Sequence, residues 1–220
     1  ISMAEYNKLY EVPIHLEGYD PTYKGHQGQI KKAATLIKNA KRPLIIAGAG
    51  VLKSGAMDEL KELAEKAQIP VTNTLVGLGG FPGDHELALG MVGMHGSVAA
   101  NNSTDEADLV IAAGIRFHDR ITGHPDFFCK KAKIIHIDID PAEIDKNVTI
   151  NVPIVGDLKQ VLTELNALVE PTTHEAWLEQ IREWQVEYPM VIPESKNGVL
   201  HAQYVLSELN KIAKDDAIIV

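Results

Sequence analysis

The sequence predicts a doubly wound α/β fold, with a mostly parallel open sheet and helices on both faces. Short apolar runs such as PLIIAGAG (43–50) and DLVIAAG (108–114) have the length and composition of buried strands. Segments such as QIKKAATLIKNA (29–40) place their apolar residues on one helical face. The two kinds of segment alternate from about residue 28 to residue 170. Such alternation is typical of a parallel sheet that helices cover on both sides.

The individual elements can be assigned in order along the chain. Five strands are predicted, at 43–50, 69–74, 108–114, 132–141 and 152–157. Four helices are predicted around them, at 29–40, 56–68, 97–107 and 157–169. Two more helices are predicted beyond the alternating region, at 174–188 and 199–213.

Three parts of the chain differ in character. Residues 1–27 show no clean period and are interrupted by proline and glycine, so we interpret them as a linker from a preceding domain. Residues 28–188 form the predicted α/β domain, and 189–220 form a second linker and the start of another domain. The final run, AIIV (217–220), resembles a strand with nothing after it. We therefore expect the chain to be a piece of a longer protein.

One aromatic stripe lies in the helix predicted at 174–188. Trp177, Ile181, Trp184 and Tyr188 have helical spacing on one face. The main interpretation is a helix that packs on its own domain or on a neighbour, and an aromatic ligand box is the alternative.

Composition argues against several classes of function. The net charge is −9 and the chain has no basic stripe or run, so we expect neither nucleic-acid nor membrane binding. No apolar run reaches the roughly 18 residues of a membrane span, and the N-terminus lacks a signal-peptide pattern. The single cysteine, Cys129, follows two phenylalanines and is expected to be a packing residue. Because it permits no internal disulfide, we expect a cytoplasmic protein.

The carboxyl ends of the predicted strands carry the candidate binding residues, and ligands bind at that edge of open α/β sheets. The first is Gly48-Ala49-Gly50, where glycine permits close approach of a ligand at a helix N-terminus. The spacing differs from the dinucleotide fingerprint, because the next glycine is Gly55 and the second strand ends in Thr74 instead of an acid. A ligand loop and a plain tight turn both remain open.

The second candidate is GMVGMHGSVAANN (90–102). Its glycines bracket Met94 and His95, so that the backbone could pass close to a flat ligand, and Ser97 can cap the following helix. A flexible loop with a helix cap is the alternative.

The third candidate, GIRFHDRITG (114–123), follows a buried strand. Arg116 and Arg120 offer guanidinium forks that suit phosphate, and Asp119 could orient one of them or accept from a ligand hydroxyl. We therefore expect a bound phosphate or a polar ribityl-like chain near both arginines.

The fourth candidate is HIDIDP (136–141), where Asp138 at a strand end could accept from ribose hydroxyls. No third ligand is spaced for a metal, so we predict no metal site.

Asp157 is expected to cap the helix that follows the last strand. We find no nucleophile motif and no paired carboxylates for acid–base work. The chain is typical of a protein that holds a large cofactor.

The motifs GMHG, RFHDRITG, HIDIDPAEI…KN and GD together resemble the catalytic subunit of acetolactate synthase (acetohydroxyacid synthase), over nearly the whole chain. Members of that family are thiamine-diphosphate enzymes with three α/β domains. The resemblance implies that this chain is the central, Rossmann-like, FAD-binding domain with both linkers. It also implies that thiamine diphosphate and Mg²⁺ bind outside this chain and that the FAD is mainly structural.

The resemblance further implies the activity of the whole enzyme. It would join two pyruvates, or pyruvate and 2-oxobutyrate, with release of CO₂, in the synthesis of isoleucine and valine. The isolated chain would be inactive. Its implied partners are the enzyme's own first and third domains, further copies in a dimer or tetramer, and a small regulatory subunit.

The FAD contacts that the resemblance implies lie in six loops. They are Gly48, Gly50, Thr74, Leu75, Val76, Gly93, Met94, His95, Gly96, Gly114, Ile115, Arg116, Asp119, Arg120, Ile121, Asp138, Ile139, Gly156 and Asp157. Arg120 would also face the substrate channel. The chain departs from the family's usual pattern at His118, where an aspartate is common, and at Ala49, where a third glycine is common.

Two other hypotheses remain open. The chain could be the central domain of another thiamine-diphosphate enzyme, such as a carboligase or a pyruvate oxidase with a redox-active flavin. It could also be a self-standing nicotinamide-binding or structural module, although the missing fingerprint argues against nicotinamide. If the chain is the FAD-binding domain that the resemblance implies, we expect Arg116→Ala to weaken FAD binding, and we expect Lys53→Ala to leave it unchanged.

Overall fold

The computed structural model describes residues 21–193, 198–214 and 217. Six strands form one sheet: β1 (Pro43–Ala47), β2 (Val71–Asn73), β3 (Ala88–Met91), β4 (Leu109–Ala113), β5 (Lys133–Asp138) and β6 (Val152–Val155). The described helices are α1 (Gln27–Asn39), α2 (Ala49–Ser54), α3 (Met57–Ala67), α4 (Val98–Glu106), α5 (Asp119–Thr122), α6 (Leu158–Leu168), α7 (Glu175–Glu187) and α8 (Ala202–Ile212). Single 3₁₀ turns occur at Leu75–Gly77, Pro125–Phe127 and Pro141–Glu143.

All five strand pairings are parallel, and the spatial order is β3-β2-β1-β4-β5-β6. The predicted doubly wound α/β fold is confirmed. The chain order reverses between β1 and β4, so the sheet has its topological switch point there, and a ligand crevice is expected outside the carboxyl ends of those two strands.

Strand β3 was absent from the sequence prediction, which treated this region as a glycine-rich loop. Two features hide it. It is four residues long with only Leu89 buried, and Gly90 interrupts it with a φ of 76°. It is also the edge strand, and its register against β2 shifts between Val71 and Asn73.

The two faces of the sheet carry separate apolar cores. Alternate residues of β1 show the division, because Ile45 packs with α1, α3 and α6 whereas Leu44 and Ile46 pack with α4 and α7. The central strands β1 and β4 are buried along their whole length. Burial of both faces explains why these strands are continuous apolar runs instead of alternating ones.

The aromatic stripe of α7 packs on the domain, as its main interpretation predicted. Trp177 and Ile181 are buried, and Trp177 Nε1 donates to the Pro43 carbonyl at 3.0 Å. Trp184 meets Trp177 edge to face, at 5.8 Å between ring centroids, whereas Tyr188 is exposed.

The predicted domain limits are only partly visible. Helix α1 begins at Gln27, the last residue of the predicted N-terminal linker, and residues 1–20 lie outside the described part. The strand predicted at AIIV also falls almost wholly outside it. Among the helices that the structure describes, none is both long and apolar enough to cross a membrane.

A glycine contact joins the loop after β1 to the loop after β4. Gly48 N donates to the Ala113 carbonyl at 2.9 Å, and Gly50 N donates to the Gly114 carbonyl at 3.0 Å. A Cβ on Gly50 would lie 2.6 Å from Gly114 Cα, and Gly114 itself has a φ of 60°. These glycines therefore allow two backbones to touch at the switch point of the sheet.

We predict that Gly50→Ala destabilises the protein by about 1–3 kcal/mol, because the added methyl meets backbone that has no room to move. The loss is expected even though alanine is the better helix former. Gly83→Ala is the matched control, since a Cβ there meets nothing within 4 Å. The free energy of unfolding in urea measures both, and equal values for the two variants would contradict the packing argument.

Candidate binding site

A cavity of about 680 Å³ opens at the carboxyl edge of the sheet. Loops after five of the six strands contribute to it, and only the loop after β3 does not. The lining residues are Ala49, Gly50, Leu52, Lys53, Ser54, Thr74, Val76, Gly114, Ile115, Arg116, His118, Ile121, Ile137, Asp138, Ile139, Asp140, Asp157 and Leu158. Its place beside β1 and β4 is the one that the topology favours for a ligand.

The structure brings ten of the predicted binding residues together in this lining. They are Gly50, Thr74, Val76, Gly114, Ile115, Arg116, Ile121, Asp138, Ile139 and Asp157. The other nine are Gly48, Leu75, Gly93, Met94, His95, Gly96, Asp119, Arg120 and Gly156. Most of these nine are loop residues at the same edge of the sheet, outside the cavity.

Thr74 has a buried polar atom aimed at no protein group. It follows β2 and lines the cavity, and it is 3% exposed. Its Oγ1 has no hydrogen-bond partner among the described residues, and the same holds for Oδ1 of the preceding Asn73. A buried hydroxyl without a partner costs free energy, so Thr74 Oγ1 is a candidate to hydrogen-bond with a ligand.

Arg116 brings a positive charge to the cavity. Its side chain is 69% exposed, and Nε lies 3.8 Å from Oε1 of the more buried Glu143. That contact uses Nε, so the two terminal nitrogens of the fork can still donate to a ligand phosphate.

Arg120 lies outside the cavity lining, contrary to the prediction of two arginines around one phosphate. It belongs to the short helix α5, and its Nη1 lies 3.6 Å from Asp119 Oδ2 with both side chains largely exposed. A pair this exposed contributes about 0–1 kcal/mol. Of the two arginines, Arg116 lines the cavity and Arg120 does not, although Ile121, the next residue of α5, does.

The glycine-rich loop after β3 packs on the arginine loop. A Cβ on Gly93 would collide with the Arg120 carbonyl, which also accepts from Met94 N at 3.2 Å. The side chain of Asn101 on α4 fixes the loop with two hydrogen bonds. Its Oδ1 accepts from Gly93 N at 2.9 Å, and its Nδ2 donates to the Gly93 carbonyl at 3.0 Å. The glycines thus serve loop packing, and the side chains of Met94 and His95 are exposed.

Ser97 and Asp157 act as the predicted helix caps. Ser97 Oγ accepts from Ala100 N, and Asp157 Oδ1 accepts from Gln160 N, each at 3.1 Å. Asp157 also lines the cavity. The neighbouring Gly156 is buried against Tyr23 and Gly25, two residues of the predicted N-terminal linker.

The acids at the end of β5 form a local turn. Asp138 Oδ1 accepts from Asp140 N, and Asp140 Oδ1 accepts from Ala142 N, each at 2.9 Å. Burial raises the pKa of the Asp138 carboxyl, and the hydrogen bond from Asp140 N opposes that shift. Both acids line the cavity, where they can accept from ligand hydroxyls.

Sequence reasoning missed four polar or charged lining residues: Lys53, Ser54, His118 and Asp140. Lys53 and Ser54 lie one turn into α2. The only signal for them in the sequence is that they follow the Gly48–Gly50 loop by one helical turn, which can place them beside the same cavity. Because Lys53 lines the cavity, it does not serve as the binding-neutral control that we expected. His118, one of the two departures from the family pattern, faces the ligand region.

Comparison with known proteins assigns the family. A family model described as thiamine pyrophosphate enzyme, central domain, matches residues 30–165. The chain belongs to this family. The match covers all six strands of the sheet, and all the loops that line the cavity.

The central domain resembles the large subunits of acetolactate synthases. The probable acetolactate synthase large subunit of Methanocaldococcus jannaschii is 56% identical over 179 residues, which are 79% of this chain and 30% of the relative. The acetolactate synthase large subunit of Buchnera aphidicola is 41% identical over 218 residues, 96% of the chain and 37% of the relative.

The acetolactate synthase of Mycobacterium avium is 45% identical over 216 residues, 94% of the chain and 34% of the relative. The chain thus spans about a third of the length of these curated relatives.

We predict that lowering the pH from about 7.5 to about 5.5 reduces the free energy of unfolding, in part through His136. Burial lowers the pKa of its imidazole from 6.5, and burial also lowers that of His174. Protons therefore bind preferentially to the unfolded chain as the pH falls below about 6.5, so stability is lost in that direction.

The check is chemical denaturation of the wild type and of His136→Gln across that range. The variant should show a smaller loss, because His174 still titrates. An equally large loss in both proteins would contradict a role of His136.

Proposed function

We propose that the chain is the FAD-binding central domain of an acetolactate synthase, a thiamine-diphosphate-dependent transferase. The longer enzyme would join two 2-oxo acids with release of CO₂, in the synthesis of branched-chain amino acids. The family match, and relatives that carry the acetolactate synthase name over most of this chain, support the proposal. The observation that carries the FAD assignment is the cavity with an unpartnered Thr74 hydroxyl and the Arg116 fork at one edge of the sheet.

The residues present fit a flavin dinucleotide. A negatively charged diphosphate matches Arg116, and Lys53 lines the same cavity. Ligand hydroxyls match the acceptors of Asp138 and the buried Thr74 Oγ1. In the proposed enzyme, FAD would serve mainly a structural role at this site.

The backbone of the glycine loop argues against a nicotinamide dinucleotide. In a dinucleotide fingerprint, the loop's free N–H groups bind the diphosphate. Here Gly48 N and Gly50 N donate to the carbonyls of Ala113 and Gly114. These two N–H groups are therefore not free for a ligand's diphosphate, and Arg116 is a side chain in the lining that can meet a ligand's charge.

The residues outside the cavity fit contacts beyond this chain. Leu75, Met94 and His95 are exposed at the same edge, as are Asp119 and Arg120. In the proposed enzyme they would meet the rest of the flavin, the substrate channel or the neighbouring domains. Thiamine diphosphate and Mg²⁺ would bind in those other domains. Dimer or tetramer formation, a regulatory subunit and a cytoplasmic location belong to the same proposal.

We predict that the chain binds FAD, and that Arg116→Ala weakens this binding roughly 10- to 100-fold, because a charge-assisted hydrogen bond to phosphate is lost. Arg182→Ala is the matched control, since Arg182 pairs with Glu175 and Glu179 on the outside of α7. Quenching of flavin fluorescence measures the affinity, with NAD⁺ titrated in parallel by calorimetry.

Two results would contradict the proposal. One is binding of NAD⁺ without FAD, and the other is equal FAD affinity in both arginine variants. Formation of acetolactate from pyruvate by the full-length enzyme separates an acetolactate synthase from a pyruvate oxidase or another carboligase.

A further inference from the structure

The direction of the Arg116 side chain must come from its backbone. The side chain is 69% exposed, and its ion pair with Glu143, at 3.8 Å, is longer than a hydrogen bond. A long flexible side chain held this loosely loses much rotational freedom when it binds a ligand. A backbone that already points the Cα–Cβ bond into the cavity reduces that loss.

His136 holds the peptide before Arg116. The residue is on β5, it is fully buried, and its Nε2 lies 2.9 Å from the Ile115 carbonyl oxygen. A carbonyl oxygen only accepts, so Nε2 carries the hydrogen and donates it to Ile115. Strand pairing sets this contact, because His136 is aligned with Ala112 of β4, three residues before Ile115.

Asn147 holds the loop one peptide beyond Arg116. Its Nδ2 donates to the Phe117 carbonyl at 2.6 Å. The Phe117 ring packs edge to face on His136, with 4.9 Å between ring centroids. The segment that carries Asn147 is tied down in turn, since Asp145 Oδ1 accepts from Ile150 N at 2.8 Å.

We propose that His136 and Asn147 are positioning residues for Arg116, which together form a brace on the arginine loop. His136 holds the Ile115 carbonyl of the peptide just before the arginine, and Asn147 holds the Phe117 carbonyl one peptide beyond it, so the loop is held on both sides of Arg116. This inference rests on the proposed function, in which Arg116 binds the diphosphate of FAD. The inference adds two residues to the site, 20 and 31 positions after Arg116 along the chain. Neither would touch FAD, and both would still affect the affinity for FAD.

The brace predicts that Asn147→Ala weakens FAD binding about fivefold, the equivalent of one hydrogen bond. Asn39→Ala is the matched control. It removes a similar bond, from Asn39 Nδ2 to the Thr35 carbonyl at 2.8 Å, at the far end of α1. Thermal unfolding of both variants verifies that they are folded. For the other half of the brace, His136→Gln keeps an N–H donor and should bind FAD more tightly than His136→Leu.

A double-mutant cycle separates positioning of Arg116 from general loosening of the cavity. Asn147→Ala is measured in the wild type and in the Arg116→Ala background. If Asn147 acts through the arginine, its effect on FAD affinity should disappear when the arginine is absent. An equal effect in both backgrounds would overturn the brace.

The outcomes also separate the brace from the function on which it rests. A wild-type protein that binds no FAD would contradict both the proposed function and the brace. A wild type that binds FAD normally, with Asn147→Ala binding it equally well, would sink the brace and leave the proposed function standing.

Discussion

The backbone contact between Gly48-Ala49-Gly50 and Gly114 is the constraint on which the site depends. It joins the loops of β1 and β4 where the strand order of the sheet reverses. On the other side, Gly114 N donates to the Ile137 carbonyl at 2.8 Å, so the arginine loop begins from a point fixed by two neighbouring strands. A side chain on Gly50 or Gly114 would separate the loops. The shape of the cavity follows from the absence of those side chains.

This contact also decides how the cavity can treat a charged ligand. The loop N–H groups that a dinucleotide fingerprint offers to phosphate are used here to join strands. Charged side chains also line the cavity: Arg116 and Lys53 are basic, and Asp138, Asp140 and Asp157 are acidic. A side chain is less rigid than a backbone N–H. The brace of His136 and Asn147 compensates for this by holding the backbone of the arginine loop.

Local patterns were enough for much of the fold and for half of the site. Apolar runs located five strands, and parallel pairing then brought Gly50, Thr74, Gly114, Asp138 and Asp157 to one edge. Other features depend on three-dimensional detail. Strand β3 has too few buried residues to show a period, and Arg120 lies outside the lining although its neighbour Ile121 on α5 belongs to it. His136 looked like part of an acidic motif, and only the pairing of β4 with β5 places its ring under the arginine loop.

The central claim is that Arg116 and Thr74 meet one dinucleotide inside this cavity. A crystal structure of the full-length enzyme with FAD tests it most directly. We expect the diphosphate within hydrogen-bond distance of the Arg116 guanidinium, and a polar ligand atom on Thr74 Oγ1. A flavin held elsewhere, with the cavity filled by protein side chains and Arg116 in solvent, would contradict the account.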